Sequence, residues 1–329
     1  MRCDYCEWHC DLGPERFGVC RAYHEAGGRI RERFPHAWSS CGVAQIEAVP
    51  FYHVAPGSRV LVIGTAGCNF TCRYCSNAFI AKEDPLLAQP SMTVLEPREL
   101  IAAARKLGCT SLVFNVNEPT MALQSLAEVS LLARAAGLPM GCLTNAYTSE
   151  SGTALLAAIF SFFSISLKGL GAGFHRELIG IPDVAPVLRN IRSLARSSHV
   201  EVITPVIQGV NDGDLDAIAG FLAEVDREIP WHVFRLLPES EMKDAGYPNI
   251  ERINRSLESA RGLLPYLYFH NFVGSDWVDT HCPECAAKVV ERFSLGCGGD
   301  QLRRLNGPRG HCPRCGHRIR LLYPELARP

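Results

Sequence analysis

The string Gly67-Cys68-Asn69-Phe70-Thr71-Cys72-Arg73-Tyr74-Cys75 sets three cysteines in a C-x3-C-x2-C spacing directly after the apolar run Arg59-Val60-Leu61-Val62-Ile63-Gly64. The run is β-branched and ends in glycine, as a buried strand does. It delivers the cysteine loop to the C-terminal end of that strand, the end at which barrel enzymes place their chemistry. Three thiolates can hold three corners of a cubane iron-sulfur cluster and leave the fourth iron open. An open coordination position separates catalytic from structural metal sites. The competing reading is a zinc knuckle. Structural zinc, however, draws on four ligands, usually as two CxxC-like pairs.

The rest of the middle of the chain determines how that loop is framed. From about residue 58 to 275, short apolar runs alternate with amphipathic stretches. Strands are expected at 59–64, 111–116, 140–145, 162–167, 200–207, 232–237 and 266–272. Helices are expected between them at 97–107, 121–136, 151–160, 185–197, 213–227 and 251–263. Gly108 and Gly137 stand just past their helices, and Asp212 can cap the fifth. Such alternation implies parallel strands joined by right-handed crossovers, and six βα units are too few for a closed eight-strand barrel. Cys109 and Cys142 fall beside strands, where cysteine acts as a small core hydrophobe. At 329 residues the chain has room for small modules on either side. The division expected is 1–57 as an N-terminal Cys-rich module, 58–278 as the barrel and 279–329 as a C-terminal module.

Both flanks carry metal-ligand spacing. Cys3, Cys6, Cys10 and Cys20 lie in loop-like sequence and can close a tetrahedral zinc site or fill all four corners of a second, auxiliary 4Fe-4S cluster. At the other end, Cys282-Pro283-Glu284-Cys285 and Cys312-Pro313-Arg314-Cys315 form two C-P-x-C knuckles around a glycine-containing segment, which reads as a zinc ribbon. The rival for these four is another iron-sulfur cluster. From Cys282 onward there are nine Lys/Arg against four Asp/Glu. That local excess gives weak support for a nucleic-acid contact, since a solvated face is its usual meaning.

Composition narrows the classes further. The formal net charge of -1 gives no support for a polyanion-binding chain as a whole. The opening residues are polar, unlike a secretory leader, and no uninterrupted stretch is apolar enough to cross a bilayer. Fifteen cysteines, clustered with ligand spacing in a chain of this length, favour metal sites over disulfides and hence a reducing, cytoplasmic setting.

The C-x3-C-x2-C loop with Tyr74 before its last cysteine resembles the radical S-adenosylmethionine (radical SAM) superfamily. The resemblance implies a partial (β/α)6 TIM-like barrel, a 4Fe-4S cluster on Cys68, Cys72 and Cys75, and SAM on the open iron. It also implies reductive cleavage of SAM to a 5'-deoxyadenosyl radical that abstracts hydrogen, with Tyr74 against the adenine. Asn117-Glu118-Pro119 at the end of the second strand resembles the motif that receives the SAM amino group. Ser164-Ile165-Ser166-Leu167-Lys168 resembles an Asp-Leu-Lys segment that contacts SAM, with Ser166 where aspartate is usual and Lys168 retained. The turn Gly209-Val210-Asn211-Asp212 resembles one that follows the strand touching ribose and adenine.

Along its whole length the chain is similar to AmmeMemoRadiSam-system radical SAM enzymes and to pyruvate formate-lyase activating enzyme homologues. The resemblance implies an activating-enzyme-like oxidoreductase with a protein or peptide substrate and a reductant such as ferredoxin or flavodoxin. Modification of RNA or a small metabolite is the alternative, and a non-catalytic iron-sulfur or zinc interaction protein is the reading from another class. His232 and Arg235, on the sixth strand, are candidates to face a substrate carboxylate or phosphate, although alternation alone does not fix their face.

Overall fold

The computed structural model describes residues 1–323. An N-terminal hairpin, β1 (Tyr23–Ala26) and β2 (Arg29–Glu32), precedes the main sheet. That sheet contains β3 (Ser40–Gln45), β4 (Arg59–Gly64), β5 (Ser111–Phe114), β6 (Met140–Thr144), β7 (Phe162–Ser166), β8 (His199–Val206), β9 (Trp231–Arg235) and β10 (Leu267–His270). From β4 to β10 each strand lies parallel to the next in chain order, and β3 pairs antiparallel with β4. The outer strands β3 and β10 do not pair with each other, so the sheet is an open, partial barrel. Its crossovers carry α1 (Pro97–Lys106), α2 (Leu123–Ala135), α3 (Glu150–Ile159), α4 (Ala185–Ala195), α5 (Leu215–Val225) and α6 (Ile250–Ala260). The expected six βα units are all present, with ends shifted by a few residues.

Local chemistry explains several boundaries. Pro97 opens α1 behind a capping box in which Glu99 accepts from the Glu96 amide at 2.7 Å. Ser149 caps α3 by accepting from Gly152 N. Gly108 and Gly137, both at positive φ, end α1 and α2.

Both faces of the sheet are covered, which is why its strands read as near-continuous apolar runs. Leu61, Ile63, Leu112, Phe114, Cys142, Phe163, Ile165 and Trp231 pack in the main core with residues of the helices, and Cys109 joins them. On the lumen side Val60, Val113 and Phe162 pack with Ile46, Val49 and Phe51. A β-carbon at Gly141 would collide with the Phe162 ring, so glycine lets that ring lie across the lumen floor.

The C-terminal module adds a three-stranded antiparallel sheet, β11 (Thr280–His281), β12 (Lys288–Ser294) and β13 (Asp300–Leu305). It packs Val278, Val289 and Val290 with Tyr52, Tyr266 and Tyr268. The chain around Leu322 pairs with Val54, donating to His53 O at 2.7 Å. The expected module ends at 329, and its last residues, including Glu325 and Arg328, lie outside the described residues.

Candidate active site

Every element around the main cavity contributes from its C-terminal end. A space of ≈ 270 Å³ is lined by Cys68, Cys72, Tyr74 and Cys75 after β4, by Asn117 and Glu118 after β5, by Thr144 and Asn145 at the end of β6, and by Ser166 and Lys168 around the end of β7. Ile203, Pro205, Phe234 and Leu236 give it an apolar wall. The eight cluster and SAM residues anticipated from the sequence thus meet at one cavity.

The cysteine loop is held from several sides. The Phe70 amide donates to Cys68 Sγ at 3.4 Å, and the Asn145 side-chain amide approaches the same sulfur at 3.7 Å. The Thr71 and Arg73 amides donate to the carbonyls of Ile179 and Leu178. Burial pushes the Cys68 thiol well above its ordinary pKa, with the Glu118 charge adding to the effect. Burial also raises Cys72, against a downward pull from Lys168. A positively charged centre is needed before these groups become thiolates. Three converging thiols with amide donors on one of them fit a cluster that leaves an iron open.

Glu118 is the buried carboxylate of the site. It accepts from Thr144 Oγ1 at 2.9 Å and from Asn145 N at 2.8 Å, and Thr120 bonds to the same side chain. Burial raises its pKa to about 7 despite those donors. Asn117 has a different task. Its oxygen accepts from Thr65 N at 3.0 Å and its nitrogen donates to Gly67 O at 2.8 Å, so its side chain staples the end of β4 to the cysteine loop. The Tyr74 hydroxyl is buried without a partner, and Lys168 Nζ lies 5.7 Å from the centroid of its ring.

Other candidates fall elsewhere. His232 faces the lumen but sits near the start of β9, below the cavity, where its Nε2 contacts Glu201 at 2.7 Å. Arg235 lines the cavity mouth, donating from Nε to Pro248 O at 2.9 Å with its guanidinium over the Tyr247 ring. Asn211 is fully buried and bonds to Lys168 O and Pro205 O, so it supports the site as a turn brace.

Sequence reading passed over Thr144 and Asn145. Asn145 connects Glu118, through its amide, with Cys68 and Asn69, through its side chain. The one signal available was position, since both close a strand on the chemical face.

At the other end of the lumen, the sulfurs of Cys282, Cys285, Cys312 and Cys315 lie within 4.8 Å of one another, with close pairs at 3.6 and 3.5 Å. A tetrahedral site with metal–sulfur bonds near 2.3 Å has sulfur–sulfur edges of about 3.8 Å, so these four can hold a single metal ion. Among the described residues no helix is long and apolar enough to cross a membrane.

Comparison with known proteins agrees with this geometry. The profile of the Radical SAM superfamily matches residues 62–222. An uncharacterized protein of Methanocaldococcus jannaschii is 27% identical over 97% of this chain and 95% of its own length. The isethionate sulfite-lyase activating enzyme of Oleidesulfovibrio alaskensis is 32% identical over 139 residues, 41% of this chain and 42% of that enzyme. Among solved structures, SuiB of Streptococcus suis bound to precursor peptide SuiA superposes with a TM-score of 0.50 at 13% identity, over 68% of this chain. The chain spans about half of that structure (51%), and the likeness is one of fold.

Proposed function

We propose that the chain is an enzyme of the radical SAM superfamily that uses S-adenosylmethionine to abstract hydrogen from a protein or peptide substrate. One observation carries this reading: Cys68, Cys72 and Cys75 open into the same cavity as Glu118, Tyr74, Ser166 and Lys168. Cys68, Cys72 and Cys75 would hold a 4Fe-4S cluster, which would supply the electron for reductive cleavage of SAM.

The remaining work falls to side chains of this protein. Glu118, aimed by Thr144 and Asn145, accepts from the SAM amino group. Lys168 offers a cation to the SAM carboxylate, and Ser166 a hydroxyl beside it. Tyr74 gives the adenine a ring face. Phe70, Leu143, Phe234 and Leu236 exclude water from a space in which a carbon radical must find only its intended hydrogen donor.

The protein substrate is supported by the relative named an activating enzyme, whose aligned segment is a part of this chain. The C-terminal quartet suits zinc, which would fasten a module with a small core of its own. The electron comes from a carrier such as ferredoxin or flavodoxin in a reducing cytosol, a setting that suits fifteen cysteines without a disulfide among the described residues.

The test is anaerobic reconstitution with iron and sulfide, addition of dithionite and SAM, and quantification of 5'-deoxyadenosine by mass spectrometry. The wild type should form it and the Cys68→Ala/Cys72→Ala/Cys75→Ala variant should not. Equal yields from the two proteins would sink the assignment.

A further inference from the structure

The N-terminal cysteines play no part in the chemistry above, yet the fold gathers them. Cys3 and Cys6 are buried, and Cys10 and Cys20 are partly so. The Cys3 amide donates to Cys10 O at 2.8 Å, drawing the first loop closed. Gly18, at φ +69°, passes so close to Cys10 that a β-carbon would stand 2.9 Å from the cysteine Cβ and 3.0 Å from its sulfur. Cys3, Cys10 and Cys20 pack together in one small cluster with Leu12, Ala22 and Tyr23.

One of the four sulfurs also receives a backbone amide: Val19 N donates to Cys10 Sγ at 3.4 Å. In the catalytic loop Phe70 N does the same for Cys68 Sγ, also at 3.4 Å. Amide donors favour the charged form of the group that accepts from them, and they do so here in a thin core of Leu12, Ala22, Tyr23 and Met121.

Spacing separates two kinds of site within this one molecule. Among the described residues, only the C-terminal four sulfurs draw together within 4.8 Å as ligands of one ion would. The N-terminal quartet does not close up in that way, and neither do Cys68, Cys72 and Cys75. A single zinc pulls its thiolates to edges of about 3.8 Å, whereas a cubane gives each thiolate its own iron and keeps the thiolates farther apart.

The quartet is also seated on the catalytic loop. Trp8 Nε1, two residues past Cys6, donates to Asn69 O at 2.8 Å. Cys20 O lies 3.3 Å from where a Gly67 β-carbon would be, and Cys20 and Cys68 line one surface groove.

We propose that Cys3, Cys6, Cys10 and Cys20 hold a second 4Fe-4S cluster, and that it is the entry point for the electron used at the Cys68–Cys75 loop. One electron leaves a reduced one-electron carrier protein, reduces the N-terminal centre, and passes on to the cluster at Cys68, Cys72 and Cys75, which restores the first centre. No bond is made or broken in the relay. The second half of the proposal rests on the function proposed above, and the first half does not.

Two variants test it. Cys68→Ala/Cys72→Ala/Cys75→Ala protein, reconstituted anaerobically, should retain about four irons and four sulfides per chain and give the electron paramagnetic resonance signal of a reduced cubane. A second zinc with no iron would overturn the proposal. Cys3→Ala/Cys20→Ala protein should lose the same amount of iron relative to wild type and keep a catalytic-loop centre whose signal responds to SAM. Reduction of that centre by a reduced flavodoxin, followed by stopped flow, should lose its fast phase, and an unchanged rate would overturn the relay. Absence of 5'-deoxyadenosine from wild type leaves the iron count of the first variant untouched, so the two readings fail separately.

Discussion

The lower end of the lumen holds a chain of four buried ionisable groups that the sequence scatters over a hundred residues. His232 Nε2 contacts Glu201 Oε2 at 2.7 Å, His232 Nδ1 contacts His270 Nε2 at 2.9 Å, and His270 Nδ1 contacts Asp300 Oδ2 at 2.6 Å. A carboxylate stands at each end, so each outer contact needs an N–H, and the central N···N contact takes one hydrogen. Burial holds the His232 pKa down at about 4.

Replacing His232 with leucine removes the donor to Glu201 and the acceptor for His270. Glu201, fully buried, keeps only the Tyr52 and His53 amides and His199. Removing a hydrogen-bond donor from a buried carboxylate costs about 1.5–3 kcal/mol. At roughly 2–4 °C per kcal/mol, the melting temperature should drop by about 3–12 °C.

Acid should act in two windows. Burial pushes Glu201 up, but hydrogen bonds from His199 and His232 outweigh it and hold the group well below its usual pKa, so the stability it contributes is lost as pH falls below about 4. Asp300 follows the same rule, with His270 outweighing its burial. His232, held low, adds a loss that begins as pH drops below about 6.5. The assay is urea unfolding of metal-replete protein, followed by circular dichroism from about pH 2.5 to 8. Glu201→Leu/His232→Leu should be less damaging than His232→Leu alone, because no buried charge is left without its partner. A single variant that loses less than about 1 kcal/mol, or a double variant worse than the single, would refute the reasoning.

Two other outcomes follow from the same structure. Glu118, raised by burial to about 7, takes up a proton as pH falls through neutrality, and the protonated form is a poorer acceptor for an amine. SAM affinity of the reconstituted enzyme, measured by equilibrium dialysis, should weaken from pH 8 to 6, and Glu118→Gln should remove that part of the slope. In stability terms the raised carboxyl costs the fold progressively between about pH 4.5 and 7, which the amine offsets when bound. Removing the metal from Cys282, Cys285, Cys312 and Cys315 with a chelator should loosen the C-terminal sheet, and limited proteolysis should then cut first between 279 and 323. Because Asp300 and Arg292 belong to that sheet, the same treatment should also lower the cooperativity of barrel unfolding.

Most of the barrel was legible because its signals are local. β-branched runs, glycines past helix ends and cysteines at fixed spacing each announce themselves within a dozen residues. Glu118 and Lys168 were singled out through the resemblance of Asn117-Glu118-Pro119 and Ser166-Leu167-Lys168 to radical SAM motifs, and the structure places both at the cavity. Thr144 and Asn145 stand at a strand end on the chemical face, but their residue types are common in turns, and only convergence on Glu118 and Cys68 gives them a task. His232 shows what a period of two leaves out. Alternation supplies the face of a strand and not the depth along it. His232 is the second residue of its strand and belongs to the floor of the barrel, whereas Phe234 and Arg235, further along, reach the cavity.

The floor explains a second point that spacing could not. Tyr52 and Arg292 are 240 positions apart, yet Arg292 donates to Tyr52 O at 2.6 Å and lies over its ring. Asp300, from the same sheet as Arg292, ends the imidazole chain that starts at Glu201. The C-terminal module therefore completes the lumen from below, while the N-terminal module rests on the cysteine loop from above, through Trp8 and Asn69. An open barrel leaves exposed edges and an unfilled base, and polar groups buried there must be paired to be tolerated. In this chain the pairing partners come from a module too small to fold around its own core. Asp300 and Arg292 thus tie that module to the last strand of the barrel, through His270, and to the segment that carries Tyr52.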